Sequence, residues 1–106
     1  MIDSLKVGPI RHTVKVIADL HDFDGDGRKT GSFGRVRELT QEIQLCAENG
    51  PDIQRVTLIH EALHAILYAA GIAGDHDERV IDALAYGLVS LLRDNPALVG
   101  YLTSDT

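Results

Sequence analysis

Three side chains in one short run carry the chemistry open to this chain: His60, Glu61 and His64, in His60-Glu61-Ala62-Leu63-His64. Imidazole nitrogen is a good donor for a divalent ion, and positions i and i+4 of a helix share a face. Both rings would therefore aim at one tetrahedral zinc. Glu61 lies beside the first ring, too close to the metal axis to ligate but able to reach a water there as general base. The context supports this chemistry. Of the fifteen residues 56–70, eleven are apolar, and the polar four are Thr57, His60, Glu61 and His64. At 100° per residue these four fall within an arc of about 100°. A carboxylate and two imidazoles on an otherwise apolar helix cost several kcal/mol unless something satisfies them. Core histidines bonded to backbone or acidic neighbours are the metal-free alternative.

Zinc that does chemistry takes three protein ligands and keeps one position for water. Downstream of His64 the donors are Asp75, His76, Asp77, Glu78 and Asp82. Helical periodicity ranks them. Arg79, Asp82, Ala83, Tyr86, Ser90 and Arg93 form a solvent side and Ile81, Leu84, Leu88 and Leu91 a core side. Asp82 then points outward, while Glu78 lies at the edge of the buried face and is the expected third ligand. Two alternatives stand beside it: Asp82 as ligand, and a capping-box role for Glu78 within Asp75-His-Asp-Glu78. His76 is expected to be exposed in a loop.

The elements that must position these groups are legible around them. The motif helix should start after Asn49-Gly50-Pro51, capped by Asn49 or Asp52, and run to about Ala70 before Gly71, with packing on most sides. A second helix should span residues 77–93 and stop before Asn95-Pro96. Upstream, the β-branched residues from Ser4 to Leu20, interrupted by Gly8-Pro9, predict two strands and a turn. Residues 21–31 read as a loop. Residues 35–46 fit neither period throughout, but residues 40–46 alternate like a strand. The class is α+β, and the 106 residues form one domain.

Composition narrows the rest. Ten Lys and Arg against sixteen Asp and Glu leave a net charge of −6, which argues against nucleic acid as partner. The single cysteine, Cys46, cannot form an intramolecular disulfide and reads as a small core residue. No segment looks like a membrane span or an export signal, and the expected compartment is the cytoplasm. Asp22-x-Asp24-x-Asp26-Gly27 opens like a calcium loop, but Phe33 stands where the closing bidentate Glu belongs. The glycines of residues 25–34 lack the spacing of a nucleotide-binding loop, and Arg35 and Arg37 read as a solvated face.

From Thr57 to His64, then through Gly71-Ile72, the acidic helix entry and Ala85-Tyr-Gly-Leu88 to Asp94-Asn-Pro96, the chain resembles the gluzincin group of zincin metallopeptidases. Within that group it is similar to small phage- and prophage-encoded peptidase-like proteins. The resemblance spans roughly the C-terminal half. It implies a small zincin-like domain, with a short N-terminal mixed sheet, a buried motif helix and a second C-terminal helix. It also implies zinc held by His60, His64 and Glu78, with a peptide or protein substrate. Attack on the peptide carbonyl would come from a zinc-polarised water whose proton Glu61 takes and passes to the leaving amine. The sheet's edge strand would align the substrate, a role falling to residues 40–46. Larger members add a Tyr or His that stabilises the tetrahedral intermediate; Tyr68, Tyr86, Tyr101, His12 and His21 are available here and none is assigned. Glu78 follows His64 by only fourteen positions, closer than in most large gluzincins. Very small relatives can be latent, and Tyr101 to Asp105 are placed to cover the metal. A zinc-stabilised binding module that hydrolyses nothing is the competing function.

Overall fold

Gly8 adopts φ +55°, a left-handed angle open to glycine without steric cost, and Pro9 stiffens the residue after it. The first β-branched run therefore folds back on itself. Its halves are β1 (Ser4–Val7) and β2 (Ile10–Ile17), paired antiparallel with Val7 opposite Ile10. The computed structural model describes residues 2–23, 29–31, 33–72, 74 and 76–105. Asp24 to Gly27 of the calcium-like pattern and Asp75 lie outside the described residues. After β2 come β3 (His21–Phe23) and β4 (Lys29–Gly31), an antiparallel pair where a plain loop was expected. Then follow β5 (Gly34–Arg37) and β6 (Glu42–Cys46).

The main sheet has the order β1-β2-β6-β5, with β6 parallel to β2 and antiparallel to β5. One expectation needs correction here. Residues 42–46 of the expected 40–46 segment do form a strand, but an interior one paired on both sides, so β6 cannot align a substrate along an edge. Among the described residues the edges of this sheet are β1 and β5, and β5 is the one packed more closely on the motif helix. Gly34-Arg-Val-Arg37 offers one apolar side chain between two cations, too weak an alternation to read as a strand from sequence.

One face of the sheet carries Val14, Ile43 and Leu45, with Leu5 and Val36 beside them, and α1 (Pro51–Ala69) lies across it through Leu58. Gly50 caps α1 without a side-chain bond, in place of the expected Asn49 or Asp52, while Asp52 pairs with Arg55 at 2.9 Å. Only Thr57, Glu61, Ala62 and Ala65 of α1 are buried, and Ile66 is 49% exposed. The helix is thus covered on its sheet and α2 sides rather than all round, because one sheet and one long helix are all that the chain provides to cover it. α2 (Glu78–Asp94) packs on α1 through Ile81 and Ala85, and a further helix, α3 (Pro96–Leu102), packs against α2. Tyr101 is 75% exposed, so α3 forms no cover over the motif. Cys46 is half-buried and its thiol bonds Glu48 rather than filling the core. Among the described residues no helix is long and apolar enough to cross a membrane.

Gly34 is where the edge strand meets the motif helix. A Cβ built there would lie 2.6 Å from Thr57 Cγ2 and 2.8 Å from the Gln44 carbonyl oxygen, and the second of these is backbone that cannot swing aside. Gly34→Ala is therefore expected to cost about 1–3 kcal/mol, as overpacking does. The measurement is the urea unfolding midpoint; an unchanged midpoint would mean that β5 and α1 can separate freely.

Candidate metal centre

Helix α1 places His60 and His64 one turn apart on the face turned toward α2, and α2 begins with Glu78 opposite them. The Nε2 atoms of the two rings are 3.3 Å apart. Glu78 faces both, Oε1 at 2.8 Å from His64 Nε2 and Oε2 at 3.0 Å from His60 Nε2. His60, His64 and Glu78 thus converge on one point. Zinc bonds nitrogen at about 2.0–2.1 Å, and the edge of such a tetrahedron is about 3.3–3.4 Å. The nitrogen pair has that edge, and two imidazoles with one carboxylate form a donor set suited to zinc.

Glu78 is free for this task because capping falls to another residue. Asp77 is the N-cap of α2, its Oδ1 accepting from the amides of Arg79 at 3.0 Å and Val80 at 3.5 Å. That makes Glu78 the first residue of the helix, not the third as a capping box would need.

The Asp82 side chain is 61% exposed, on the solvent side as expected, yet it reaches the motif helix. One turn after Glu78, its Oδ1 lies 2.7 Å from His60 Nδ1. It contacts the ring nitrogen remote from the cluster and so orients the ring rather than ligating. Glu78 holds the place the ranking gave it, but the core side differs, because α2 is rotated from the orientation that its apolar residues alone suggest. Ile81 and Ala85 are buried, whereas Leu84 and Leu91 are each 47% exposed. His76 is likewise half-buried instead of exposed. Its Nδ1 lies 2.6 Å from His64 Nδ1 and its Nε2 2.7 Å from the Ile72 carbonyl oxygen.

Burial pushes the His64 pKa below the ordinary histidine value, with nearby His60 and His76 pushing the same way and Glu78 opposing. A ring that resists protonation keeps a lone pair for a cation near neutral pH. Glu61 is 6% exposed, and its Oε1 lies 4.0 Å from His60 Nε2, beside the ligand cluster but outside bonding range. The ligand side is open, since the Glu78 side chain is 62% exposed.

A cavity of about 360 Å³ adjoins the cluster. His60, Glu61 and Asp82 form one wall; Phe33, Gly34, Ile53, Val56, Thr57 and Tyr86 form the rest. The start of β5 therefore borders the same space as the motif. Tyr86, one turn beyond Asp82, is 59% exposed on the outer side of α2 as expected and also borders this wall. Tyr68 packs on the His76 ring with centroids 5.0 Å apart, and His12 is buried in β2, 3% exposed. The side chain of His21 lies outside the described residues. Comparison with protein-family models, curated proteins and solved structures finds no match.

Proposed function

We propose that this chain is a zinc-dependent peptidase of gluzincin type, with His60, His64 and Glu78 as ligands and Glu61 as general base. One observation carries the reading: three ligand groups from two helices meet at a point, and a buried carboxylate stands beside it over a substrate-sized cavity. Zinc bound there supplies Lewis acidity, polarising a water molecule and the carbonyl under attack. The chain's own groups do the rest. Glu61 accepts the proton of the attacking water and delivers it to the leaving amine. Asp82 holds the His60 ring in place by accepting from Nδ1–H. β5 stands at an edge of the sheet beside the cavity, where an extended peptide would add as a further strand. Phe33, Ile53 and Val56 make the adjoining cavity suited to an apolar side chain next to the scissile bond.

The test is metal analysis and turnover on the same preparation. Protein purified without chelator is expected to hold one zinc per chain and to cleave unstructured peptides beside apolar residues. Activity should stop when the metal is stripped and return with added zinc. Protein that neither carries nor takes up zinc would end the proposal.

A further inference from the structure

His76 is not among the expected ligands, yet it makes two short ring contacts, and their chemistry determines where protons must be. The Ile72 carbonyl oxygen can only accept, so the Nε2 of His76 at 2.7 Å carries the hydrogen. In a neutral ring this leaves His76 Nδ1 as an acceptor. Its partner at 2.6 Å, His64 Nδ1, must then donate. Neutral His64 then sets a bare Nε2 against the Glu78 carboxylate at 2.8 Å, two acceptors that a cation shared between them reconciles. His60 faces a carboxylate at each ring nitrogen, Asp82 at Nδ1 and Glu78 at Nε2, and a cation shared at Nε2 leaves Nδ1 to donate to Asp82.

The ring geometry suits such a bond. The His64 and His76 rings lie within 17° of parallel with centroids 4.9 Å apart. That separation is what the 2.6 Å nitrogen distance and two ring radii add up to. The contact therefore runs along the line joining the ring centres, in the plane where an N–H and a lone pair both point. The anchor is equally well defined. Gly71, at φ +83°, ends α1 with paired bonds from its own N–H to the Tyr68 carbonyl at 3.0 Å and from Ile72 N–H to the Leu67 carbonyl at 2.9 Å. This is a Schellman end, and it fixes the peptide that follows. Tyr68 closes over the His76 ring from the last turn of α1.

We propose that His76, anchored on the Ile72 carbonyl at the end of α1, is a positioning residue that keeps the His64 proton on Nδ1 and presents His64 Nε2 to the metal. The inference rests on the zinc reading above. It assigns to the α1–α2 connection a share in metal affinity, achieved without contributing a ligand. Replacing an orienting partner of this kind weakens metal binding by about 10–100-fold.

The experiment compares the wild type with His76→Leu, which removes the acceptor, and His76→Asn, which offers a carbonyl oxygen in its place. Zinc dissociation constants come from competition with a chromophoric chelator, and ring nitrogen NMR of the zinc-free proteins at about pH 8, above the ordinary histidine value, reports each tautomer. Expected are a 10–100-fold weaker zinc affinity for the Leu variant, recovery of most of it by Asn, and His64 of the wild type protonated on Nδ1. Equal affinity in wild type and Leu variant, or a wild-type His64 protonated on Nε2, overturns the proposal. Should the Leu variant fail to fold, the wild-type tautomer and the Asn variant still decide it. A wild type with His64 protonated on Nδ1 but no zinc affinity would overturn the peptidase reading while upholding the proton placement.

Discussion

Glu61→Gln is expected to leave zinc at one equivalent while lowering peptide hydrolysis by about 10²–10⁴-fold, the usual contribution of a positioned general base. The substitution keeps shape and volume at a residue only 6% exposed, so the packing of α1 should survive. What it removes is the proton acceptor. Glu61 stands 4.0 Å from His60 Nε2 and is no ligand, so metal content should not change. The loss should fall on kcat, with KM little altered, because the missing interaction belongs to the transition state. Full turnover in the variant would remove Glu61 from the mechanism; loss of zinc would make it part of the coordination. A zinc-stabilised binding module behaves differently, with no hydrolysis before or after the change.

Removal of the metal should be felt by the whole fold. Zinc at a thousandfold excess over its Kd stabilises the folded state by about 4 kcal/mol, and in a domain of this size each kcal/mol moves Tm by roughly 4–8 °C. Chelation is therefore expected to lower Tm by about 15–30 °C. The physical reason lies between the helices. α2 meets α1 largely through small side chains, with Ala62, Ala65 and Ala85 buried and Ile81 the large exception. The ligand cluster and the Asp82–His60 pair add polar links between the two helices, so hydrogen-exchange protection in residues 78–94 should fall first. His60→Ala should melt at the chelated temperature and be indifferent to added zinc. Unchanged melting of the wild type after chelation would show that the fold holds no metal.

Much of this site is local in origin, and to that extent the sequence determined it. The i, i+4 spacing of His60 and His64 places both rings on one face whatever surrounds the helix, since that follows from 3.6 residues per turn. Gly8-Pro9, Gly71 and Asn95-Pro96 mark chain reversals and helix ends through backbone chemistry alone, and each lies at an end of the element it was expected to bound. Glu78 was legible as a partner because its place at the start of the second helix followed from those same boundaries.

Tertiary structure decided what depends on rotation and pairing. Periodicity turned α2 toward its apolar majority, with Leu84 and Leu91 inward. The folded chain instead seats Ala85, at 0% exposure, against α1, where a small side chain lets the helices approach. That rotation carries Asp82 to His60 and Tyr86 to the cavity wall. The contact of His76 with His64 required the exact path of the chain beyond Gly71, and the edge position of β5 required knowing that β6 pairs on both sides. No local rule contains these facts, because they arise from contacts between residues far apart in the chain, settled only when the surfaces that bury them are brought together.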